Sequence, residues 1–258
     1  MNGIRAIGDT AVLTGRSLRH VLRSPDTIIT TALMPIAMML LFVYVFGGAV
    51  DIGSGAGSGS YATYLLPGIL LITVASGIAY TAFRLFSDMQ SGIVERFRSM
   101  PLARGAVLWS HVLTSLVAIL ISLAVVLGVS LAIGFRSTAG PAAWLAVAGI
   151  LVLFALALTW VAVIPGLTAT SVDGASAFSY PLIFLPFLSS AFVPTESMPG
   201  PVRWFAEHQP VTAIVDTLRD LLAEQPVGAE TWGALAWCVG VLAVAYAAAT
   251  TIFRRRAR

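Results

Sequence analysis

SGIVERFRSMPLAR, residues 91–104, is a charged stretch set between two long apolar runs. A polar island between runs of that length is the pattern of membrane helices joined by a loop, and the chain repeats it in both directions. Read as a helix, the island places Ile93, Phe97 and Met100 on one face. Glu95 and Ser99 then lie opposite, with Arg96 and Arg98 on the flanks. Pro101 disfavours helix at Met100 and stops the turn there. So short a helix does not fold alone, so it needs a surface: the ends of the chain's own spans or a docked partner. From spacing alone, two readings stand together. The island receives mechanical work from another protein, or it is a basic loop that only orients the chain in a membrane.

Composition fixes the class. With 58% hydrophobic and 10% charged residues in 258, and a mean hydropathy of +0.90, there is too little polar surface to coat a soluble globule. The chain reads as an all-α integral membrane protein, because about six runs approach the roughly 20 apolar residues a span needs. The runs are continuous, which argues against the alternating pattern of an outer-membrane barrel. Cys238 is the single cysteine and lies in an apolar run, so no intrachain disulfide forms. There is no lysine, and a P-loop needs the lysine of G-x-x-x-x-G-K-[ST], so this chain has no such ATP site. The basic balance does not signal nucleic acid. Its arginines cluster beside apolar runs, which is a topology signal.

In chain order, residues 1–24 read as an amphipathic interfacial helix. Arg5, Arg16, Arg19 and Arg23 share one sector, Ile4, Ile7, Ala11, Leu18, Val21 and Leu22 the opposite one, and Val12 and Leu13 break the pattern. A cleavable signal peptide is the competing reading, but the apolar run that follows is longer than a signal core of roughly 7–15 residues. Spans are expected at 28–46, 61–86, 106–133, 142–164, 175–193 and 232–253. Tyr61 and Tyr64 are placed for the outer aromatic belt, and Pro165-Gly166 for the end of the fourth span. Residues 87–105 form a cytosolic segment. Pro181 and Pro186 lie inside the fifth span, where lost backbone hydrogen bonds make them either packing features or hinges. Residues 194–231 are polar but patterned. They give a short helix at 202–208 and a second with a stripe of Val211, Ile214, Val215, Leu218, Leu221 and Leu222, and with Asp216, Arg219, Asp220 and Glu224 on its polar side.

Arginine counts orient the chain. The N-terminal segment, the 84–104 loop and the tail hold four each, whereas the loops between hold none, one and two, so both termini face the cytosol and residues 194–231 lie outside. No span has an obvious ionisable residue near its centre, which counts against a proton- or sodium-driven carrier. His20, His111 and His208 sit near span ends or outside them, with no zinc motif and no Gly-x-Ser-x-Gly. No catalytic or metal site is expected, and any energised function takes its energy from a partner.

Three stretches, GIVERFRSMPLAR at 92–104, FLPFLSSAFVPTESMP at 184–199 and WFAEHQPVTAIVDTLRDLL at 204–222, are similar to the permeases of ABC type-2 exporters of the daunorubicin-resistance drug-efflux kind. The resemblance covers nearly the whole chain as a single transmembrane domain. It implies an interfacial elbow helix, six spans, a coupling helix after the second span and two external helices before the sixth. It also implies a second permease copy, as homodimer or heterodimer, and two copies of a separate ATPase that binds ATP and Mg. Glu95, Arg96, Phe97, Arg98 and Pro101 would form the coupling element, and Pro181 and Pro186 are hinge candidates for which packing is the commoner role. Phe42, Tyr80, Phe178 and Phe184 would offer aromatic contact to a lipophilic substrate, although a bilayer-facing or packing role is the commoner one for each of them taken singly. The expected function is ATP-driven export of a lipophilic drug, natural product or lipid from the inner (cytoplasmic) membrane. The alternatives are export of a polysaccharide or lipid-linked glycan, and a non-transporting scaffold or sensor that binds an ATPase.

Overall fold

A computed structural model describes residues 3–23, 26–47, 58–92, 105–226, 228 and 230–256, and these form helices joined by turns, with no strand among them. The first helices are α1 (Gly3–Arg23), α2 (Asp26–Leu41, continued by a π turn at Phe42–Phe46) and α3 (Ser58–Gln90). Next come α4 (Ala106–Ile133) and α5 (Pro141–Thr168), then two short helices, α6 (Val172–Ala177) and α7 (Ser179–Phe184), the latter followed by a 3-10 turn at Leu185–Leu188. After them lie α8 (Gly200–His208), α9 (Pro210–Leu222) and α10 (Glu230–Arg256). Four helices, α3, α4, α5 and α10, are long and apolar enough to cross a membrane, and Thr31–Phe46 and Val172–Leu188 are shorter apolar stretches.

Burial identifies α3 as the axis: 78% of its most apolar window is inside the protein, against 17% for α10. Helices α2, α4, α5, α6, α7 and α9 all lie against it. At one end, Tyr61, Leu65 and Ile69 of α3 join Val211, Ile214 and Leu218 of α9 in one apolar cluster. At the other, Leu85, Leu108, Trp160 and Phe253 form a second cluster, which Leu13 of α1 completes. Leu145 on α5 and Val244 on α10 face outward, as suits helices whose solvent is hydrocarbon.

Several sequence expectations are corrected. The run 175–193 is not one helix but α6, α7 and a 3-10 turn. Pro181 lies in the first turn of α7 and Pro186 in the opening of the 3-10 turn, positions where the missing N–H breaks no helical bond. These prolines therefore begin separate segments rather than bend a continuous one. Helix α5 runs on through Pro165 to Thr168, with Ala169 N donating to Pro165 O at 2.8 Å. On α1, Leu13, an exception to the sequence pattern, is buried while Ile7 is 72% exposed. Helix α1 lies against α4, with Leu13 in the cluster that holds Leu108 and with Arg16 and Arg19 exposed.

The turn after α4 is closed by Gly134 at φ +114°, a left-handed position that Cβ-bearing residues rarely adopt. The same turn is tied to the end of α9. Ser137 Oγ donates to Leu222 O at 2.6 Å, and Gly140 N donates to the Glu224 carboxylate at 2.6 Å.

Candidate functional site

The island carrying Glu95, Arg96, Phe97, Arg98 and Pro101 lies outside the described residues. Its two roots are described. On the α3 side, Ser91 N donates to Ser87 O at 3.0 Å and Ser91 Oγ to Asp88 O at 3.1 Å. On the α4 side, His111 is buried and places Nε2 3.3 Å from Asp88 Oδ2. This brace joins the last turn of α3 to the first turns of α4, with the Arg84 and Arg16 charges close enough to act on Asp88. His111, near a span end in the sequence, is thus partnered by a carboxylate. Tyr80 sits half-buried in the same region, 6.1 Å from the Phe83 ring and beneath Arg84 at 5.8 Å.

At the opposite end, the broken segment exposes backbone carbonyls that a continuous helix would use internally. Other elements supply the donors. Arg219 of α9 donates from Nη2 to Ser190 O at 2.9 Å and from Nη1 to Asp216 Oδ1 at 2.6 Å. Its guanidinium also lies 4.0 Å from the centre of the Tyr64 ring. Tyr64 OH donates to the same Ser190 O at 2.9 Å, while Ser190 Oγ donates to Asp216 Oδ1 at 2.7 Å. Tyr61 OH reaches Phe192 O at 3.5 Å. Gln209 Nε2 donates to Leu185 O at 3.2 Å and Leu188 O at 2.6 Å. Tyr61 and Tyr64 therefore face the protein rather than an aromatic belt, and Asp216 and Arg219 form a clasp rather than a solvated face. Sequence reasoning missed this clasp. Its available signal was an i, i+3 acid–base pair in a chain with so few charges.

Beneath α8 and α9 lies a cavity of about 540 Å³, walled by α3, α5, the α7 region and α10. Leu71, Leu158 and Ile214 form part of its buried floor, while Trp204, Phe205 and Trp237 stand more exposed at its edge. Of the candidate hinge and substrate-path residues, Pro186 lines it. Phe42 is half-buried 4.7 Å from the Phe192 ring, Phe178 packs against the core, and Phe184 is 62% exposed beside Phe187. Pro181 is exposed. No single site among the described residues gathers these side chains.

Among the described residues no cluster of His, Cys, Asp or Glu could hold a metal ion. The arrangement offers mechanical junctions and an apolar void rather than a reacting pair of groups.

Comparison with known proteins gives the same kind of answer. The family described as ABC-2 type transporter matches residues 9–223. A daunorubicin resistance ABC transporter permease protein of Streptomyces coeruleorubidus is 29% identical over 227 residues, covering 84% of this chain and 77% of that one. A probable doxorubicin resistance ABC transporter permease protein of Mycobacterium tuberculosis is 28% identical over 256 residues, covering 95% and 90% respectively.

Proposed function

The chain belongs to the ABC-2 type transporter family as a permease subunit, and on that premise we propose that it exports a lipophilic drug, natural product or lipid across the cytoplasmic membrane. The observation that carries this reading is the reach of the family match, residues 9–223, in a chain without the lysine of a P-loop. The permease lacks an ATPase site, so hydrolysis belongs to a partner subunit. The drug-resistance names of its relatives support a lipophilic substrate, and the apolar cavity suits one.

In this reading the complex is two permeases with two ATPases. Helix α2 with its π turn, and the broken α6–α7 segment, act as crossings beside the four long helices, giving six. Both termini and the island face the cytosol, where the arginine clusters keep them. Closure of the ATPases on ATP pushes the island, with Glu95, Arg96 and Arg98 pairing to charges on the partner, Phe97 entering its surface groove, and Pro101 ending the turn. The Asp88–His111 brace passes that displacement to α3 and α4 together. Movement of the segment held by the Arg219 clasp, with Pro181 and Pro186 at its joints, opens a route between permeases past Phe42, Tyr80, Phe178 and Phe184.

The test is co-purification of the wild-type chain, and of the Arg96→Glu, Arg98→Glu variant, with nucleotide-binding subunits of the same cell. Capture by the wild type and loss in the variant is the expected result. Failure to capture any ATPase after crosslinking overturns it. ATP-dependent uptake by inverted vesicles holding both proteins then separates an exporter from a scaffold that binds an ATPase without transport.

A further inference from the structure

We propose that Arg84, with Thr31 and Ser115, binds the phosphate of a phospholipid in the leaflet at the island end of the molecule. The lipid is a resident one, so the inference goes beyond the permease reading and does not depend on what is transported. Helix α3 has 33 residues, so it is about 50 Å long and overruns a hydrocarbon core of roughly 30 Å by about 10 Å at each end. Arg84 stands about 9 Å back from the last residue, Gln90, which puts it at the boundary where lipid phosphates lie. Its guanidinium is 5.8 Å from the centre of the Tyr80 ring. Among the described residues no carboxylate or carbonyl accepts a hydrogen bond from it, and Asp88, one turn on, is held by His111 instead. None of its nitrogen atoms is closed off from the surface. A half-buried guanidinium with its donors open and no acceptor in the chain calls for an anion from outside.

A second, independent observation lies beside it. Thr31 of α2 and Ser115 of α4, at 7% and 6% exposure, line a slot of about 10 Å³ together with Tyr80 and Arg84. The backbone of α3 at Gly77 forms part of its wall, where an added Cβ would stand 2.5 Å from Ile119 Cγ1 and 3.4 Å from Thr31 Cγ2. Thr73, Ser110 and Thr114 nearby on α3 and α4 donate their hydroxyls to carbonyls of their own helices. Among the described residues the hydroxyls of Thr31 and Ser115 have no hydrogen-bond partner, nor are their oxygen atoms sealed off. The slot holds about one oxygen atom rather than a headgroup. The phosphate therefore stands at its mouth on the guanidinium fork, with one oxygen turned in to the two hydroxyls. Arg16 and Arg19, exposed on α1 where it lies against α4, add positive charge at this end. A headgroup without an amine, such as phosphatidylglycerol, is thus preferred to one carrying choline.

The test uses the full chain in a non-ionic detergent, titrated with dioleoylphosphatidylglycerol or dioleoylphosphatidylcholine, with mass spectrometry of the intact complex as the readout. One phosphatidylglycerol per chain is expected to bind about fivefold more tightly than phosphatidylcholine. Arg84→Gln is expected to weaken that binding about tenfold, and Thr31→Val with Ser115→Ala about threefold. Arg255→Gln, at the exposed end of α10, is expected to leave it within about twofold. Equal binding by the wild type and Arg84→Gln overturns the proposal. A second measurement needs no variant and so does not depend on how one folds. Phenylglyoxal modifies accessible arginine side chains, and peptide mass locates the modified residues. Phosphatidylglycerol is expected to slow the reaction at Arg84 about fivefold and at Arg255 less than about twofold. An unchanged rate at Arg84 overturns the proposal, as does equal protection of both positions, which would reduce the effect to general surface attraction. Full protection of Arg84 by inorganic phosphate in place of lipid would make the occupant a soluble anion and overturn the lipid assignment.

Discussion

Arg219 joins parts of the chain far apart in sequence: α9 through Asp216, the broken segment through Ser190, and α3 through the Tyr64 ring. Removing it leaves the Asp216 carboxylate with the Ser190 hydroxyl alone and frees a carbonyl that only Tyr64 then serves. Hydrogen bonds to charged groups contribute roughly 1.5–3 kcal/mol. With Arg219 and Asp216 about a quarter exposed, the lower part of that range applies. Arg219→Leu is expected to lower the melting temperature in detergent by about 4–6 °C, and Arg219→Lys, whose single nitrogen reproduces neither the planar two-nitrogen fork nor the stacking on Tyr64, to recover less than half of the loss. A melting curve for Arg219→Leu that overlays the wild type would show the clasp to be idle. Asp220 makes a separate prediction. Burial, and then the like charge of Asp216, push its carboxyl above the ordinary range against the pull of Arg219. The folded state therefore holds this proton more tightly than the unfolded chain. Its contribution to stability falls as pH rises from the ordinary carboxylate value through the raised one, and the penalty is complete at neutral pH. Asp220→Asn should raise neutral-pH melting by at most about 1 °C, with the gain vanishing in acid; a gain that persists in acid would assign it to packing.

Among the elements, α3 and the broken segment are in close contact at Gly68, where an added Cβ would stand 2.5 Å from Ala191 Cβ. The absence of a side chain there lets α3 come near the carbonyls that Tyr61 and Tyr64 serve. Gly68→Ala is expected to cost about 1–3 kcal/mol by overpacking, read as loss of detergent melting temperature, and Ala191→Gly in that background to restore most of it. No rescue would place the strain elsewhere. The same elements show what is legible in sequence. Helix α4 occupies 106–133 because its apolar run is bounded by Gly105 and Gly134, both visible in the chain. Helices α8 and α9 follow from a stripe and a Pro-delimited break. The run 175–193 has the composition of a span, and what holds it broken is supplied from Gln209, Arg219 and Tyr64, up to 126 residues away. Local pattern cannot contain those partners. Nor could it contain the cavity, whose floor takes Leu71, Leu158 and Ile214 from three helices with no shared motif. For Phe42, Tyr80, Phe178 and Phe184 the sequence offers residue type alone, and type does not say which way a ring on an apolar helix faces.

For the whole molecule, orientation decides whether the pieces work as one machine. The Asp88–His111 brace lies at one end of α3, and the Arg219 clasp and the cavity mouth lie at the other, so the proposed mechanism requires a push on the island to be relayed along the most buried of the long helices. That relay is useful for export only if the island is cytosolic and the clasp end is outside. Charge favours this: Arg254, Arg255 and Arg256 end α10, whereas the clasp end carries only Arg136, Arg203 and Arg219, one of which the clasp itself consumes. In a Cys238→Ser background, Ser197→Cys, exposed in the turn before α8, is expected to react with an impermeant maleimide on intact cells. Arg256→Cys in the same background is expected to react only after permeabilisation. The opposite pattern would invert the molecule, move the island away from the compartment that holds ATP, and leave Glu95, Arg96 and Arg98 with no ATPase to meet.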